Sequence, residues 1–321
     1  MGGGLIVVTG GAGFIGSNLV RGLNAAGHEN ILVVDDLSDG RKFRNLADCN
    51  IHDYMDRSEF RRLLPGKSGV FPRGDIQAVF HQGACSDTME WDGNYMLDNN
   101  YSYSRDVLEF CLARAVPFIY ASSAAVYGAS LQFAEARANE CPINMYGYSK
   151  MLFDHHVRRR LDGITSQVAG LRYFNVYGPR EQHKGTMASV AYHLNAQLLS
   201  SGVLKLFRGS GGYADGEQRR DFISVDDVVR VNLWLMQNPG VSGIYNVGTG
   251  KSRSFNEMAR AVIDWHGNGR IEYIDMPGAL RASYQSFTEA DIGALRGAGY
   301  RGQFTPLEAG IGSYLEWLNA D

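Results

Sequence analysis

"LIVVTGGAGFIGSNLVRGLNAAG", residues 5–27, sets an apolar run against a cluster of glycines and then a helical repeat. Leu5 to Thr9 is short, apolar and rich in β-branched residues, the composition of a strand buried on both faces. From Phe14 the apolar residues recur at helical spacing and stop at Gly27, a residue type that commonly ends helices. Between the two lies "TGGAGFIG" (Thr9 to Gly16). Here Gly11, Gly13 and Gly16 satisfy G-x-G-x-x-G, and Gly10, Gly13 and Gly16 satisfy a G-x-x-G-x-x-G variant. Glycines that join a strand to the start of a helix let the backbone approach a pyrophosphate, whose charge the helix N-terminus favours.

Working outward, "ILVVDD" (Ile31 to Asp36) ends a second strand with Asp35, 19 residues past Gly16. A carboxylate there accepts hydrogen bonds from an adenosine ribose. Asp35 alone favours NAD, because an acid repels a 2′-phosphate; Arg41 or Lys42 in "DGRKF" can pair with that phosphate, so NADP stays open. Ala78 to His81, Phe118 to Ser122 and Ser166 to Phe174 are further strands, with helical patterns between them. The alternation predicts an α/β fold: a doubly wound parallel sheet of the Rossmann type, covered by helices on both faces.

Beyond about residue 176 the pattern loosens into Gly- and charge-rich loops followed by helices. Ser254 and Glu257 form an S-x-x-E capping box. Thr305-Pro306-x-Glu308 is expected to combine a cap, a proline at the first helical position and the matching glutamate. The expected organisation is a dinucleotide-binding domain over 1–175 and, over 176–321, mainly a smaller substrate-binding lobe with some segments returning to the first domain.

Composition narrows the function. With 321 residues, 45% apolar and 20% charged, the chain can bury a sizeable core. A net charge of −3 gives no reason to expect nucleic acid or an anionic membrane as a partner. "RRR" at Arg158 to Arg160 reads as a solvated helix face. No apolar run approaches the roughly 18 residues of a membrane span, and "MGGGLIVVTGG" lacks the features of a secretory signal. Cys49, Cys85, Cys111 and Cys141 share no metal-type spacing, so no metal site is expected and free thiols in a reducing cytoplasm are the simplest reading.

"YASSAAVYG" (Tyr120 to Gly128) puts Ser122 and Ser123 at the C-terminal end of a strand, the edge where ligands of open α/β sheets bind. "NMYGYSKMLFDHH" (Asn144 to His156) puts Tyr146 and Lys150 one helical turn apart on a shared face. The expectation is that the Lys150 ammonium, helped by a cationic nicotinamide, makes the Tyr146 phenol more acidic. Tyr146 would then take a proton from a substrate hydroxyl whose oxygen Ser123 holds.

These three elements in this order resemble the extended short-chain dehydrogenase/reductase superfamily, whose members act on nucleotide sugars. "RYFNVYGPR" (Arg172 to Arg180) and "RDFISVDDVV" (Arg220 to Val229) extend the resemblance over nearly the whole chain. Dehydratases of that superfamily carry an acid pair just after the catalytic Ser or Thr. Ala124 and Ala125 stand there in this chain and transfer no proton, which disfavours elimination of water. A narrower resemblance lies in "FHQGACSDTMEWDGNYMLDNNYSYS" (Phe80 to Ser104), "NMYGYSKMLFD" and "REQHKGTMASVAYHLN" (Arg180 to Asn195). These are similar to the ADP-L-glycero-D-manno-heptose 6-epimerases of Gram-negative bacteria, which make a precursor of the lipopolysaccharide inner core.

That resemblance implies a cytoplasmic homo-oligomer, a pentamer in that family, holding NADP tightly and inverting the sixth carbon of ADP-heptose through a transient ketone. It also implies that Lys184 is a second catalytic base. Hydride moves at one fixed face, so the ketone must turn over, and a second proton donor must meet its oxygen in the new position. By residue type alone, Lys184 and its neighbour His183 are exposed loop residues. Carried over by motif, cofactor contacts fall on Gly10, Gly13, Phe14, Ile15 and Gly16, and on Asp35, Asp36, Lys42 and Arg57. They also fall on Gln82, Gly83, Ala84, Cys85 and Ser86, and on Asn99, Lys150, Val176 and Lys184. ADP-heptose contacts fall on Asn175, Thr186, His193, the run Phe207, Arg208, Gly209 and Ser210, and on Arg220 and Tyr284. Arg220 suits a diphosphate as a guanidinium fork, whereas His193 also reads as a helix-face histidine. Gln82 replaces an acid of the family pattern, Asp36 an amide and Arg57 a lysine. Two rivals stand beside this reading: another nucleotide-sugar 4-epimerase or reductase, and a non-catalytic dinucleotide-binding sensor or scaffold. The presence of both Tyr146 and Lys150 argues against the scaffold.

Overall fold

The computed structural model describes residues 4–64, 75–278 and 284–320. Strands β1 (Leu5–Thr9), β2 (Ile31–Asp35), β3 (Asp53–Asp56), β4 (Ile76–His81), β5 (Phe118–Ser123) and β6 (Val168–Tyr173) join a strand at Gly243–Val247 in one seven-stranded sheet. From one edge the order is Gly243–Val247, β6, β5, β4, β1, β2, β3, and every pairing is parallel. The order reverses between β1 and β4, and the crevice at the C-terminal ends of those strands is where a dinucleotide binds in such sheets.

Strand alternation explains the layers. Ile6, Val8, Ile31 and Val33 point to one face, under the helices Phe14–Ala25 and Val225–Gln237. Val7, Leu32 and Val34 point to the other, under the helices Tyr103–Ala113 and Met145–Leu161. Because both faces are buried, the strands read as unbroken apolar runs. Each buried aliphatic side chain contributes about 1.5–3 kcal/mol.

A separate apolar cluster around Leu194, Leu204, Met258, Val262, Ile311 and Leu315 builds the C-terminal lobe. It lies among the helices Val190–Ser201, Phe255–His266 and Leu307–Leu318, beside the parallel pair Val203–Phe207 and Arg270–Ile274. The strand Gly243–Val247 carries the chain back to the sheet beside β6.

Two strands of the seven-stranded sheet lay outside the sequence expectation. β3, "DYMD", is an edge strand with exposed acidic ends and no apolar alternation. The strand "GIYNV" is defined by its pairing with β6, not by its own composition. The capping box at Ser254 and Glu257 forms as read. The one at Thr305 does not. Pro306 is itself the N-cap, with ψ 148, and the helix starts at Leu307. Asp227 has drawn Thr305 away, accepting its N–H at 2.9 Å and its hydroxyl at 3.3 Å, while Glu308 pairs with Arg253. Arg158 also departs from the solvated face expected of "RRR", since its guanidinium lies 2.6 Å from the buried Glu140 carboxylate.

Candidate active site

Gly10 sits at φ +67 and donates its N–H to the Val34 carbonyl at 2.7 Å. A Cβ there would strike the backbone of Gly83, so the loops after β1 and β4 run back to back. At Gly16 a Cβ would overlap the Gly10 carbonyl. Gly13 caps the helix Phe14–Ala25 without a side-chain acceptor, and the first turn carries no acid. Its leading N–H groups therefore suit an anion. Gly16→Ala is expected to lose bound dinucleotide and about 1–3 kcal/mol of stability by overpacking. Absorbance of the nucleotide released on unfolding and the denaturant midpoint measure the two effects.

At the end of β2, Asp35 accepts the Ala12 N–H at 2.8 Å on one oxygen and Lys42 at 2.6 Å on the other. Lys42 also donates to the Asp36 carbonyl at 2.6 Å. Arg57 lies 3.3 Å from the Asp36 carboxylate and donates to Asn99 at 2.6 Å. Hydrogen bonds from Ser38, with smaller help from Arg57 and Lys42, hold the Asp36 carboxyl below its usual range. Asp36 and Arg57, both departures from the family pattern, thus contact each other.

Ser123 ends β5, and Tyr146 and Lys150 rise from the helix Met145–Leu161, whose N-cap Asn144 accepts the Gly147 N–H at 2.8 Å. All three line a cleft of about 560 Å³. The glycine loop, Phe14 and Ile15 share it with Asp35, Asp36, Lys42, Arg57, the run Gln82 to Ser86, Asn99, Asn175, Val176 and Lys184. Every residue expected at the cofactor and every expected catalytic group therefore faces one cavity.

The phenol answers chiefly to its burial. Burial raises the Tyr146 phenol above its ordinary value, and a hydrogen bond with Ser123 works against it. Lys150 is not among the groups acting on it, because its ammonium is committed to the Ala121 carbonyl at 2.8 Å. Burial pushes Lys150 itself down to about 8, with Asp154 pulling the other way.

Lys184 lies in the turn Gln182–Met187, 5.3 Å from the centre of the Phe14 ring, and burial lowers its pKa. The turn is pinned at both ends. Buried Glu181 accepts from the Ser189 hydroxyl at 2.7 Å and from its N–H. Arg180, at φ +73, reaches Asp48 at 2.6 Å and the Asn45 carbonyl. His183 is half-buried, with a ring nitrogen 3.1 Å from Asn45. Neither Lys184 nor His183 is the exposed loop residue that its type suggested.

Asn100 went unread in the sequence. Its side chain accepts the Cys85 N–H at 2.8 Å and donates to the Cys85 carbonyl at 2.9 Å and to Ser149 at 3.0 Å. It clamps the loop after β4 to the helix bearing Tyr146. Asn100 lies in a π-helical stretch, Leu97–Ser102, a local insertion often found at functional sites and invisible to a 3.6-residue period. Gln82 accepts from Tyr173 at 3.1 Å and approaches Asn232 at 3.4 Å, a neutral net where the family pattern has an acid.

Of the residues expected at the substrate, Asn175 alone lines this cleft. The others lie in the C-terminal lobe, except Thr186, which is on the turn that carries Lys184. Arg220 is buried with its guanidinium 5.0 Å from the Tyr284 ring and 5.6 Å from that of Phe255, and Phe207 meets Tyr284 edge-on. Among the described residues no carboxylate pairs with Arg220, and burial lowers its pKa. Arg208 makes an exposed pair with Asp275 at 3.4 Å, the Gly209 N–H goes to Asp215 at 2.7 Å, and Ser210 accepts from Gln218 at 3.1 Å. His193 contacts the Thr186 carbonyl at 3.3 Å. Thr288, 3.5 Å from Asn175, links the lobe to the cleft.

Residues 6–248 match the model of the NAD dependent epimerase/dehydratase family. The chain belongs to that family. Membership makes a nicotinamide dinucleotide the cofactor class. The chain is 57% identical over 312 residues, 97% of each sequence, to the ADP-L-glycero-D-manno-heptose-6-epimerase of Alkalilimnicola ehrlichii. Among solved structures, the ADP-L-glycero-D-manno-heptose-6-epimerase of Helicobacter pylori superposes with a TM-score of 0.84 at 31% identity, over 100% of this chain and 98% of that one. The UDP-glucose 4-epimerase of Thermus thermophilus, in complex with NAD, gives 0.79 at 26% identity, over 98% and 99%.

Proposed function

We propose that the chain is an ADP-heptose 6-epimerase, converting ADP-D-glycero-β-D-manno-heptose to its L-glycero epimer by oxidation to a ketone and re-reduction. The identity of 57% with a heptose epimerase, against 26% with a UDP-glucose 4-epimerase, supports that substrate over a 4-epimerase's. The observation that carries the mechanism is that Tyr146 and Lys184, from separate segments, line one cleft with the glycine loop. Inversion with hydride moving at a single face needs two proton-transfer groups.

A bound nicotinamide dinucleotide supplies the hydride acceptor and donor. The uncapped helix start at Gly13 fits its pyrophosphate, and Asp35 fits its ribose. Tyr146 takes the proton of the sugar hydroxyl, Ser123 holds the oxygen, and the Lys150 ammonium holds the cofactor edge of the site. Once the ketone has turned, Lys184 meets the oxygen in its new position and returns the proton. Ala124 and Ala125, beside Ser123, offer no acid for the dehydratase branch of the family. Arg220, buried without a carboxylate partner among the described residues, supports recognition of the ADP diphosphate.

The cofactor of this reading is NADP. Lys42 and Arg57 offset the two acids at the ribose end. Mass spectrometry of the dinucleotide released on denaturation is expected to give NADP or NADPH; recovery of NAD instead leaves Lys42 and Arg57 with Asp35 and Asp36 as their whole purpose. In the same reading residues 1–175 serve the cofactor and 176–321 mainly the sugar nucleotide. The chain works as a cytoplasmic homo-oligomer in the supply of lipopolysaccharide heptose, and sedimentation gives its assembly state. Among the described residues no helix is long and apolar enough to cross a membrane.

Incubation with ADP-D-glycero-β-D-manno-heptose and, separately, with UDP-galactose tests the substrate. Epimerisation of the first alone is expected. Turnover of UDP-galactose favours the 4-epimerase reading, and turnover of neither, with dinucleotide bound, favours the scaffold.

A further inference from the structure

Behind the catalytic helix a carboxylate and a guanidinium are both sealed from solvent: Asp154 and Arg172, each 0% exposed. Asp154 lies one turn beyond Lys150 and two beyond Tyr146 on the helix Met145–Leu161. One of its oxygens accepts the Tyr120 hydroxyl at 2.9 Å. The other accepts the Ser122 hydroxyl and Arg172 Nε, both at 2.9 Å. Tyr120 and Ser122 belong to β5, which ends in Ser123, and Arg172 belongs to β6. A single helix side chain thereby holds the strand bearing Ser123 and its neighbour.

Stability does not explain such a pair. Two charges taken out of water lose hydration that their attraction barely recovers, and apolar replacements often do as well. Arg172 runs on to buried Glu140, whose carboxylate also holds Arg158 at 2.6 Å and His155 at 2.7 Å. Burial opposes it, yet the Arg158 and Arg172 guanidiniums, with the hydrogen bond to His155, keep Glu140 at about 2. The contacts therefore leave the catalytic helix at Asp154 and return to it at His155 and Arg158.

We propose that Asp154 is a positioning residue for the reaction, fixing the helix of Tyr146 and Lys150 in register with Ser123 and setting a negative charge opposite the Lys150 ammonium. This rests on the roles assigned above to Tyr146 and Lys150. The groups acting on Lys150 are Asp154 from its own helix and Cys85 from the loop after β4; Lys150 in turn acts on His81 of β4. Around Asp154 stand Tyr120 from β5 and Arg172 from β6, with Arg158 beyond. Asp154 is thus the carboxylate that raises the proton affinity of Lys150, against the burial that lowers it.

The test uses the full chain with its bound dinucleotide and follows kcat and KM for the ADP-heptose across pH, with thermal melting as the check on folding. Asp154→Asn is expected to keep its dinucleotide and its KM while kcat falls about 10–100-fold from misalignment. Without the negative charge Lys150 binds its proton less tightly, so the ammonium is lost at lower pH. The alkaline limb of the kcat profile therefore moves down by about one pH unit or more. Should Asp154→Asn not fold, the double variant Asp154→Asn/Arg172→Met leaves neither member unpaired and is expected to show the same shift. A folded variant with wild-type kcat and an unmoved alkaline limb overturns the proposal. Lys150→Met separates the two layers. If it is inactive while the Asp154 variants behave as wild type, the positioning role alone falls; if it turns over at the wild-type rate, the role of Lys150 falls and takes the proposal with it.

Discussion

Replacing Tyr146 by Phe is expected to lower epimerisation by about 10²–10⁴-fold, the usual contribution of a positioned general base, with dinucleotide still bound. The substitution removes one oxygen and leaves the ring, so the cleft keeps its shape and the Ser123 hydroxyl keeps the Ala125 N–H at 3.1 Å. The pH dependence of the unaltered chain tests the same group. Burial raises the Tyr146 phenol, so its basic form gains population as pH rises and the rate climbs with it. Lys150, lowered by burial to about 8, loses its ammonium above that value, which offsets the phenolate still forming, so the climb levels off and the rate falls only at higher pH. An optimum on the alkaline side of neutrality, absent from Tyr146→Phe, is the expected profile. Wild-type turnover in that variant would transfer the base to another residue.

Lys184→Met is expected to block epimerisation by a factor of about 10² or more while the protein melts at its usual temperature and retains its dinucleotide. The side chain is nearly isosteric and keeps its apolar stem against Phe14, so the loss isolates the ammonium. Burial lowers Lys184, which brings its proton within reach at ordinary pH. The variant also makes an asymmetric prediction. Tyr146 still oxidises one epimer, so the absorbance of reduced nicotinamide builds up with that substrate and not with the other. Equal, wild-type rates from both epimers would leave Lys184 a loop residue whose only role is contact with Phe14.

Local order spoke plainly in the sequence where chemistry and chain neighbours coincide. Gly10, Gly13 and Gly16 announce themselves because a strand, a tight turn and a helix start follow one another within a few residues, and a glycine is demanded by what its backbone must touch. Tyr146 and Lys150 were equally legible, since four residues along a helix fix a shared face before any folding. Asn100 was not: a π-helical turn shifts the face that a side chain presents, and nothing in "DNNYSYS" marks the shift. Thr305 misled in the opposite direction, because the distant Asp227 outcompeted the local cap for its hydrogen bonds.

The sequence by itself determined the layered sheet, the cofactor loop and the residue types able to move protons, all of which depend on spacing along the chain. Tertiary structure alone decided that Lys184 shares a cleft with Tyr146, that Arg220 lies apart between two rings, and that Asp154 on its helix locks to Arg172 on β6. It also decided that the Lys150 ammonium goes to a backbone carbonyl and not to the phenol. The physical reason is that spacing governs what lies one turn away, whereas burial and partner choice follow from segments that meet only when the sheet closes.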